Sequence, residues 1–305
     1  MTPFFEKPPE KTYNARLMPV VRPRLPSFLK QQIPSGPAFV AVQGAIRDFK
    51  LNTVCEEAKC PNRTHCYSRG TLTFQILGDI CTRSCGFCAE KFGQPSLPLD
   101  PTEASRVVEA AERLKLKHVV ITSPARDDMP DDGAGQFAAV IAEFRRKLPD
   151  VTVEILTPDM RGKANCLSTL FAAKPDIFNH NIETVRRLTP KVRSKATYER
   201  TLSVLKQAAA AGLRVKSGIM VGHGEEHAEL LETFEDLFKN GVTMLTLGQY
   251  LPPSAHHLPL VRCYLPREFD ELKEIALTMG FDQVAAGPLV RSSYYADQAI
   301  IAARS

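Results

Sequence analysis

From Gly70 onward, short apolar and β-branched runs alternate with longer stretches whose apolar positions recur every three or four residues. The short runs fit strands buried on both faces, and the longer stretches fit helices with one buried stripe. The pattern predicts strands at Leu72–Leu77, His118–Thr122, Val151–Leu156, Ile177–Asn181, Arg214–Val221 and Met244–Tyr250. It predicts helices at Glu103–Leu114, Gln136–Lys147, Leu167–Ala172, Tyr198–Gly212 and Ala228–Asn240. Such alternation builds a parallel α/β sheet with right-handed crossovers. Six units fall short of the eight that close a full barrel, and a doubly wound open sheet is the alternative on pattern alone. Ahead of this region the periodicity fades. Residues 1–54 are rich in proline and basic residues and read as an arm, with a short helix entered at Ser27 and another over Ala38–Phe49.

Polar clusters fall in phase with the strands. One follows each predicted strand, where folds of this kind keep their sites. They are Cys81–Cys88; Thr122, Ser123, Arg126 and Asp127; Thr157–Gly162; Asn179–Thr184; Lys216–Glu225; and Gly248–Pro253. Asn179, Asn181 and Glu183 alternate along an extended run, so their side chains share a face. A carboxylate with two amides suits an ammonium group and sugar hydroxyls, while a strand-end network without ligand is the plainer account. Arg126, with Asp127 as its simplest partner, is a candidate anion contact, as are Arg193 and Lys216. Gly218, Gly222 and Gly224 allow a ligand close to the backbone, although glycines also end strands.

Composition narrows the class without naming it. The chain has 305 residues with 44% hydrophobic content, enough for one barrel with extensions. No run approaches the roughly 18 apolar residues of a membrane span. The N-terminal residues lack an apolar stretch and carry glutamates, which argues against a signal or transit peptide and for the cytoplasm. The net charge of +5 is mild, and with no Trp and no aromatic-interleaved basic run a nucleic-acid role has little support.

The cysteines change the picture most. Six of eight lie between Cys55 and Cys88, as C-x4-C-x5-C (Cys55, Cys60, Cys66) and C-x3-C-x2-C (Cys81, Cys85, Cys88). Three thiolates on a cubane leave one of four irons open to a substrate or cofactor. Zinc prefers four ligands in paired halves, disulfides need an oxidising compartment, and a two-cluster electron carrier has four cysteines per cluster on a shorter chain. Cys166 and Cys263 stand alone and read as packed residues.

The second triplet, with Phe87 at its aromatic position, resembles the signature of the radical S-adenosylmethionine (SAM) enzymes. That resemblance implies a partial (β/α)6 TIM-type barrel and a [4Fe–4S] cluster whose open iron takes SAM. Cys55-Glu-Glu-Ala-x-Cys60-Pro-Asn, Gly-Asp-x-Cys81-Thr-Arg, Thr-Ser-x-x-Arg126-Asp-Asp, Asn179-His-Asn-x-Glu183-Thr and Arg291-Ser-Ser-Tyr resemble the lipoyl synthase family in turn. The family likeness covers roughly residues 24–298 and departs from it at Tyr67, His223 and Tyr295. It implies a second, auxiliary [4Fe–4S] cluster on Cys55, Cys60 and Cys66, with Ser292 as its fourth ligand and Ser293 as the alternative. It implies SAM contacts from Phe87, Thr122, Ser123, Arg126, Asn179, Asn181, Glu183, Arg193, Lys216 and Gly222. The segments then divide as an arm packed on the barrel (1–54), an auxiliary-cluster segment (55–70), the partial barrel (71–265) and an extension closing the auxiliary cluster (266–305). The implied reaction inserts two sulfurs at C6 and C8 of a protein-bound octanoyl-lysine. Implied partners are octanoylated lipoyl-domain proteins (glycine cleavage H protein or a 2-oxoacid dehydrogenase E2), an electron donor such as flavodoxin or ferredoxin, and an iron–sulfur carrier. Another two-cluster radical SAM sulfurtransferase is the rival within enzymes, and a non-catalytic iron–sulfur carrier the rival outside them.

Overall fold

The structure is a computed structural model that describes residues 26–29, 36–96 and 98–294. The chain divides into two units, Met1–Lys30 and Gln31–Ser305. In the first, Ser27–Leu29 forms one 3-10 turn where a short helix is expected. The rest of the arm up to residue 25 lies outside the described residues, as do 30–35 and 295–305. All that follows concerns the second unit.

Its strands, in chain order, are β1 (Asn52–Thr53), β2 (Thr73–Gln75), β3 (Ile80–Cys81), β4 (Lys91–Phe92) and β5 (His118–Thr122), then β6 (Thr152–Leu156), β7 (Ile177–Asn179), β8 (Val215–Val221), β9 (Met244–Gln249) and β10 (Gln283–Gly287). β3 and β4 pair only with each other, and the other eight form one sheet in the order β1-β2-β5-β6-β7-β8-β9-β10. β1 lies antiparallel to β2, and every later pair is parallel. The helices are α1 (Pro37–Asp48), α2 (Val54–Glu57), α3 (Arg63–Ser68), α4 (Glu103–Arg113), α5 (Ala134–Lys147), α6 (Ala164–Ala172), α7 (Thr189–Val192), α8 (Tyr198–Ala210), α9 (His227–Lys239) and α10 (Pro266–Met279). Among the described residues no helix is long and apolar enough to cross a membrane.

All six predicted strands and all five predicted body helices are present, with ends moved by a few residues. One core, with Phe74, Ile121, Ile155, Phe178 and Leu245 among its strand residues, joins the sheet to its crossover helices. The register carries a stagger. Thr122 ends β5 opposite Leu156, which ends β6 opposite Asn179, which ends β7 opposite Lys216, only the second residue of β8. Stagger of this kind curves a parallel sheet toward a barrel. The two ends of the sheet order, β1 and β10, do not meet. The α/β partial-barrel expectation therefore holds, with one unit more than the pattern predicts. α10 and β10 continue the sheet past residue 265, and Gln283–Gly287 pairs in parallel with Met244–Gly248. Gln-Val-Ala-Ala-Gly escapes pattern reading because an edge strand needs little bulk and its small residues carry no alternation.

Candidate active site

The second triplet lies where β3 leaves the sheet region. Cys81 is buried in β3, and its Sγ accepts backbone N–H groups from Arg83 at 3.4 Å and Ala125 at 3.3 Å. The Cys85 Sγ accepts the Ser194 N–H at 3.4 Å. The Gly86 N–H donates to the Val192 carbonyl, at the end of α7, at 3.0 Å. Phe87 packs half-buried against the core. Burial pushes the thiols of Cys81, Cys85 and Cys88 above the usual range. Backbone N–H groups aimed at sulfur stabilise the thiolate once a metal takes it, as they do in iron–sulfur sites generally. None of the eight cysteines is paired in a disulfide.

Charge clamps this loop to its neighbours. The Arg83 guanidinium grips Asp127 through Nε at 3.0 Å and Nη2 at 2.7 Å, and its Nη2 also reaches Asp159 at 2.7 Å. Asp159 takes Arg200 as well, at 3.1 Å. Asp159 is fully buried, yet Arg83 overcomes the desolvation and holds its carboxyl well below the usual carboxylate range. The expected partner of Arg126 is thus already taken. Arg126 instead forms a two-pronged pair with Asp128, at 2.9 and 2.8 Å, and donates to the Leu77 carbonyl at 3.0 Å. Those bonds fit a loop clamp and use three of the five N–H groups of Arg126.

The strand ends hold the rest of the expected set. Thr122 Oγ1 donates to the Leu156 carbonyl at 2.9 Å. Asn179 Nδ2 donates to Glu154 Oε1 at 2.8 Å, and Lys216 Nζ donates to both oxygens of the same carboxylate at 2.9 and 3.1 Å. Lys216 therefore serves Glu154 inside the sheet and is not a loose anion contact. Asn181 Oδ1 accepts the Ser292 hydroxyl at 2.9 Å. Arg193 donates to the Asn181 carbonyl at 3.1 Å and to Thr201 Oγ1 at 2.7 Å. Burial raises the Glu183 carboxyl against the pull of Arg193. Gly222 has φ +111°, but what approaches it is the chain itself: a Cβ there would meet Gln249 Nε2 at 2.3 Å and the Arg262 carbonyl at 2.8 Å. The space a side chain would take at Gly222 is thus filled by the chain itself. Sequence reading passed over Glu154 and gave Asp159 and Arg83 no role of their own within the cluster and motif that contain them. A lone charged residue inside an apolar strand, as Glu154 is, was the available signal.

The first triplet sits in two short helices and the turn between them. The Thr53 hydroxyl caps α2 by accepting the Glu56 N–H at 3.3 Å and meets the Tyr67 hydroxyl at 3.0 Å. Cys55, Cys60 and Cys66 then line one cleft together with Arg291, Ser293 and Tyr294. The C-terminal segment is strapped on by Asn62, which donates to the Leu289 carbonyl, and by Tyr294, whose ring lies 5.6 Å from that of His65. Residues 291–294 form a turn closed by a 2.9 Å bond from the Tyr294 N–H to the Arg291 carbonyl. Successive side chains of a turn diverge, so the two serines part company. Ser292, expected at the cysteines, goes to Asn181, and Ser293 is the serine in the cysteine cleft.

The donor sets fit two clusters and a polar ligand. Among the described residues no three of His, Cys, Asp or Glu converge closely enough for a single metal ion. Thiolates on separate irons of a cubane stand further apart than the ligands of one ion. Ser123 Oγ, Thr157 Oγ1 and Asn179 Oδ1 are buried without a hydrogen-bond partner, at or just past the ends of β5, β6 and β7. Unpaired buried polar atoms are rare in folded proteins, and three at consecutive strand ends beside the cluster loop suit a polar ligand such as SAM.

Fold and cluster loop together define a radical SAM protein, and the sequence profile of the Radical SAM superfamily matches residues 76–237. A second profile, the N-terminal domain of lipoyl synthase of the radical SAM family, matches residues 6–60. The lipoyl synthase of Rubrobacter xylanophilus is 50% identical over 90% of this chain and 85% of its own length. That of Shouchella clausii is 51% identical over 91% of this chain and 90% of its own. The chain belongs to the lipoyl synthase family. Among solved structures, Streptococcus suis SuiB bound to S-adenosylmethionine matches with a TM-score of 0.55 at 13% identity, over 73% of this chain and 54% of SuiB, a likeness of fold alone.

Proposed function

We propose that the chain makes the lipoyl cofactor, with its two cysteine triplets in separate roles. It is a radical SAM sulfurtransferase that inserts sulfur at C6 and C8 of a protein-bound octanoyl-lysine, with two [4Fe–4S] clusters and SAM as cofactors. Cys81, Cys85 and Cys88 would hold the cluster that, with SAM bound, would supply radical chemistry for hydrogen removal, and Cys55, Cys60 and Cys66 would hold the cluster that would supply sulfur. The observation that carries this reading is the turn at 291–294. Its Ser292 binds Asn181 on the SAM side, and its Ser293 lines the cysteine cleft. Burial lowers the pKa of the Arg291 guanidinium, and the charges of Cys60 and Glu183 lie near enough to oppose that. One turn thus spans both sites, as it must if one acyl carbon is to meet each in succession.

The chain's own residues then divide the work. Asn181 and Glu183 orient the amino acid end and ribose of SAM. Arg83, Asp127 and Asp159 fix the cluster loop, and the turn excludes water. Ser293 would be the oxygen ligand of a cluster held by Cys55, Cys60 and Cys66, a harder donor than their thiolates. The octanoyl carrier is a lipoyl domain of the glycine cleavage H protein or a 2-oxoacid dehydrogenase E2. A flavodoxin or ferredoxin supplies electrons, an iron–sulfur carrier rebuilds the spent cluster, and a reducing cytoplasm keeps the thiols available.

Anaerobic reconstitution tests the division. The full chain should hold about eight irons, cleave SAM and lipoylate an octanoylated lipoyl-domain peptide, read by mass. Cys81→Ala, Cys85→Ala or Cys88→Ala should abolish 5′-deoxyadenosine. Cys55→Ala, Cys60→Ala, Cys66→Ala or Ser293→Ala should still form it yet insert no sulfur. Sulfur insertion by a first-triplet variant would sink the scheme, and full activity of Ser293→Ala beside an inactive Ser292→Ala would return the ligand to Ser292.

A further inference from the structure

We propose that His257 is a positioning residue for the SAM-binding cluster, holding the Cys88 end of its loop through the peptide backbone. The segment after β9 crosses directly over that loop. The Leu258 N–H donates to the Gly86 carbonyl at 2.9 Å, and His257 Nε2 lies 3.0 Å from the Cys88 carbonyl. A carbonyl only accepts, so Nε2 carries the proton. Nδ1 faces the Ser254 hydroxyl at 2.8 Å, which can donate to it or accept from it. The same Ser254 oxygen accepts the His256 N–H at 3.2 Å. The ring is thus held at both nitrogens, by Ser254 on one side and by the Cys88 carbonyl on the other.

The strap is itself anchored. The Tyr250 hydroxyl, at the end of β9, donates to the Leu258 carbonyl at 2.8 Å. Leu258 sits so close over Gly86 that a Cβ there would meet its Cγ at 2.8 Å. Gly86 is the point in the cysteine loop where the backbone would otherwise turn most freely. With the Gly86 and Cys88 carbonyls both held, the backbone of Phe87 and Cys88 is fixed at either end, and with it the direction of the third thiolate. Partners that orient a metal ligand in this way are worth roughly ten- to a hundredfold in metal affinity or activity.

The inference rests on the reading that Cys81, Cys85 and Cys88 hold a SAM-cleaving cluster, so the test separates the two. In the anaerobically reconstituted full chain, His257→Ala should raise the KM for SAM roughly tenfold with a much smaller change in kcat, and iron should leave that cluster faster under a chelator. In the iron-free chain, amide exchange across residues 86–90 should quicken, while the melting temperature stays near wild type. His257→Gln keeps an N–H at nearly the same reach and should restore most of each readout. Unchanged KM, iron release and exchange in His257→Ala would overturn the proposal, as would His257→Gln failing as badly as alanine. A wild-type chain that cleaves no SAM would instead overturn the reading beneath it.

Discussion

At the scale of single residues, His223 shows how burial writes a pH dependence into the fold. Its ring stacks on Tyr250 with centroids 4.1 Å apart, and its Nε2 is buried without a partner. Desolvation, aided by Lys191, pushes the imidazole down from 6.5 to about 4. The folded chain therefore holds the neutral ring, while the unfolded chain protonates it near its ordinary value. Between those two values the unfolded state binds the extra proton, so stability falls as pH is lowered through the window. One such group contributes a slope approaching about 1.4 kcal/mol per pH unit. His223→Leu should flatten the fall in urea midpoint between pH 7 and 5. His180, brought to about 4 by the same burial, should keep its own share of the slope. An unchanged slope in His223→Leu would show that the ring is already protonated in the fold.

Among the elements, β9 decides where the C-terminal turn can lie. Gly248 sits in β9 in register with Gly287 of β10. A Cβ at Gly248 would fall 2.0 Å from the Val290 carbonyl and 3.1 Å from Arg291 Nη1. A backbone oxygen cannot step aside as a flexible side chain can, so Gly248→Ala must displace the segment from Val290 to Tyr294. The expected outcome is a stability loss of about 1–3 kcal/mol from overpacking. Sulfur insertion should fall at least tenfold and 5′-deoxyadenosine formation by less, because the moved element carries Ser293 of the cysteine cleft and touches the SAM side only through the bond of Ser292 to Asn181. Equal loss of both reactions would mean that the turn supports the SAM side as much as the cysteine cleft.

Across the whole molecule, one buried charge network ties four neighbouring strands together. Glu154 of β6 is fully buried and receives Asn179 from β7 and Lys216 from β8, with His118 Nε2 of β5 at 3.6 Å. Burial alone would raise the Glu154 carboxyl, but Lys216 and His118 outweigh it and hold the pKa at about 2. A buried pair contributes little net stability, yet breaking it leaves an uncompensated charge. Glu154→Gln should therefore cost about 3–5 kcal/mol in denaturant unfolding, and the double variant Glu154→Met, Lys216→Met should recover most of that. A single variant within 1 kcal/mol of wild type would mean that Lys216 finds water or another partner. The network lies beneath Asn179, so the single variant should weaken SAM binding as well.

The local pattern alone settled the parallel α/β body, because strands buried on both faces and helices with one apolar stripe each leave a periodic trace. It also singled out the two cysteine triplets as the candidate cluster ligands, since triplets spaced this closely have few other uses, and the motifs around them carry the family. What only the tertiary structure decided has a common cause: each item depends on direction or on a distant partner, and neither is written in spacing. Ser292 and Ser293 are neighbours in the chain, and only the turn geometry sends one to Asn181 and the other to the cysteine cleft. Arg126 adjoins Asp127 in sequence, but the latter faces Arg83, and Arg126 turns to Asp128. Gly222 is crowded by Gln249 at the end of the next strand and by Arg262 from beyond it. β10 is a strand by virtue of the edge that β9 offers it, and His257 acquires its place because Cys88, far back along the chain, presents a carbonyl that only a donor can satisfy.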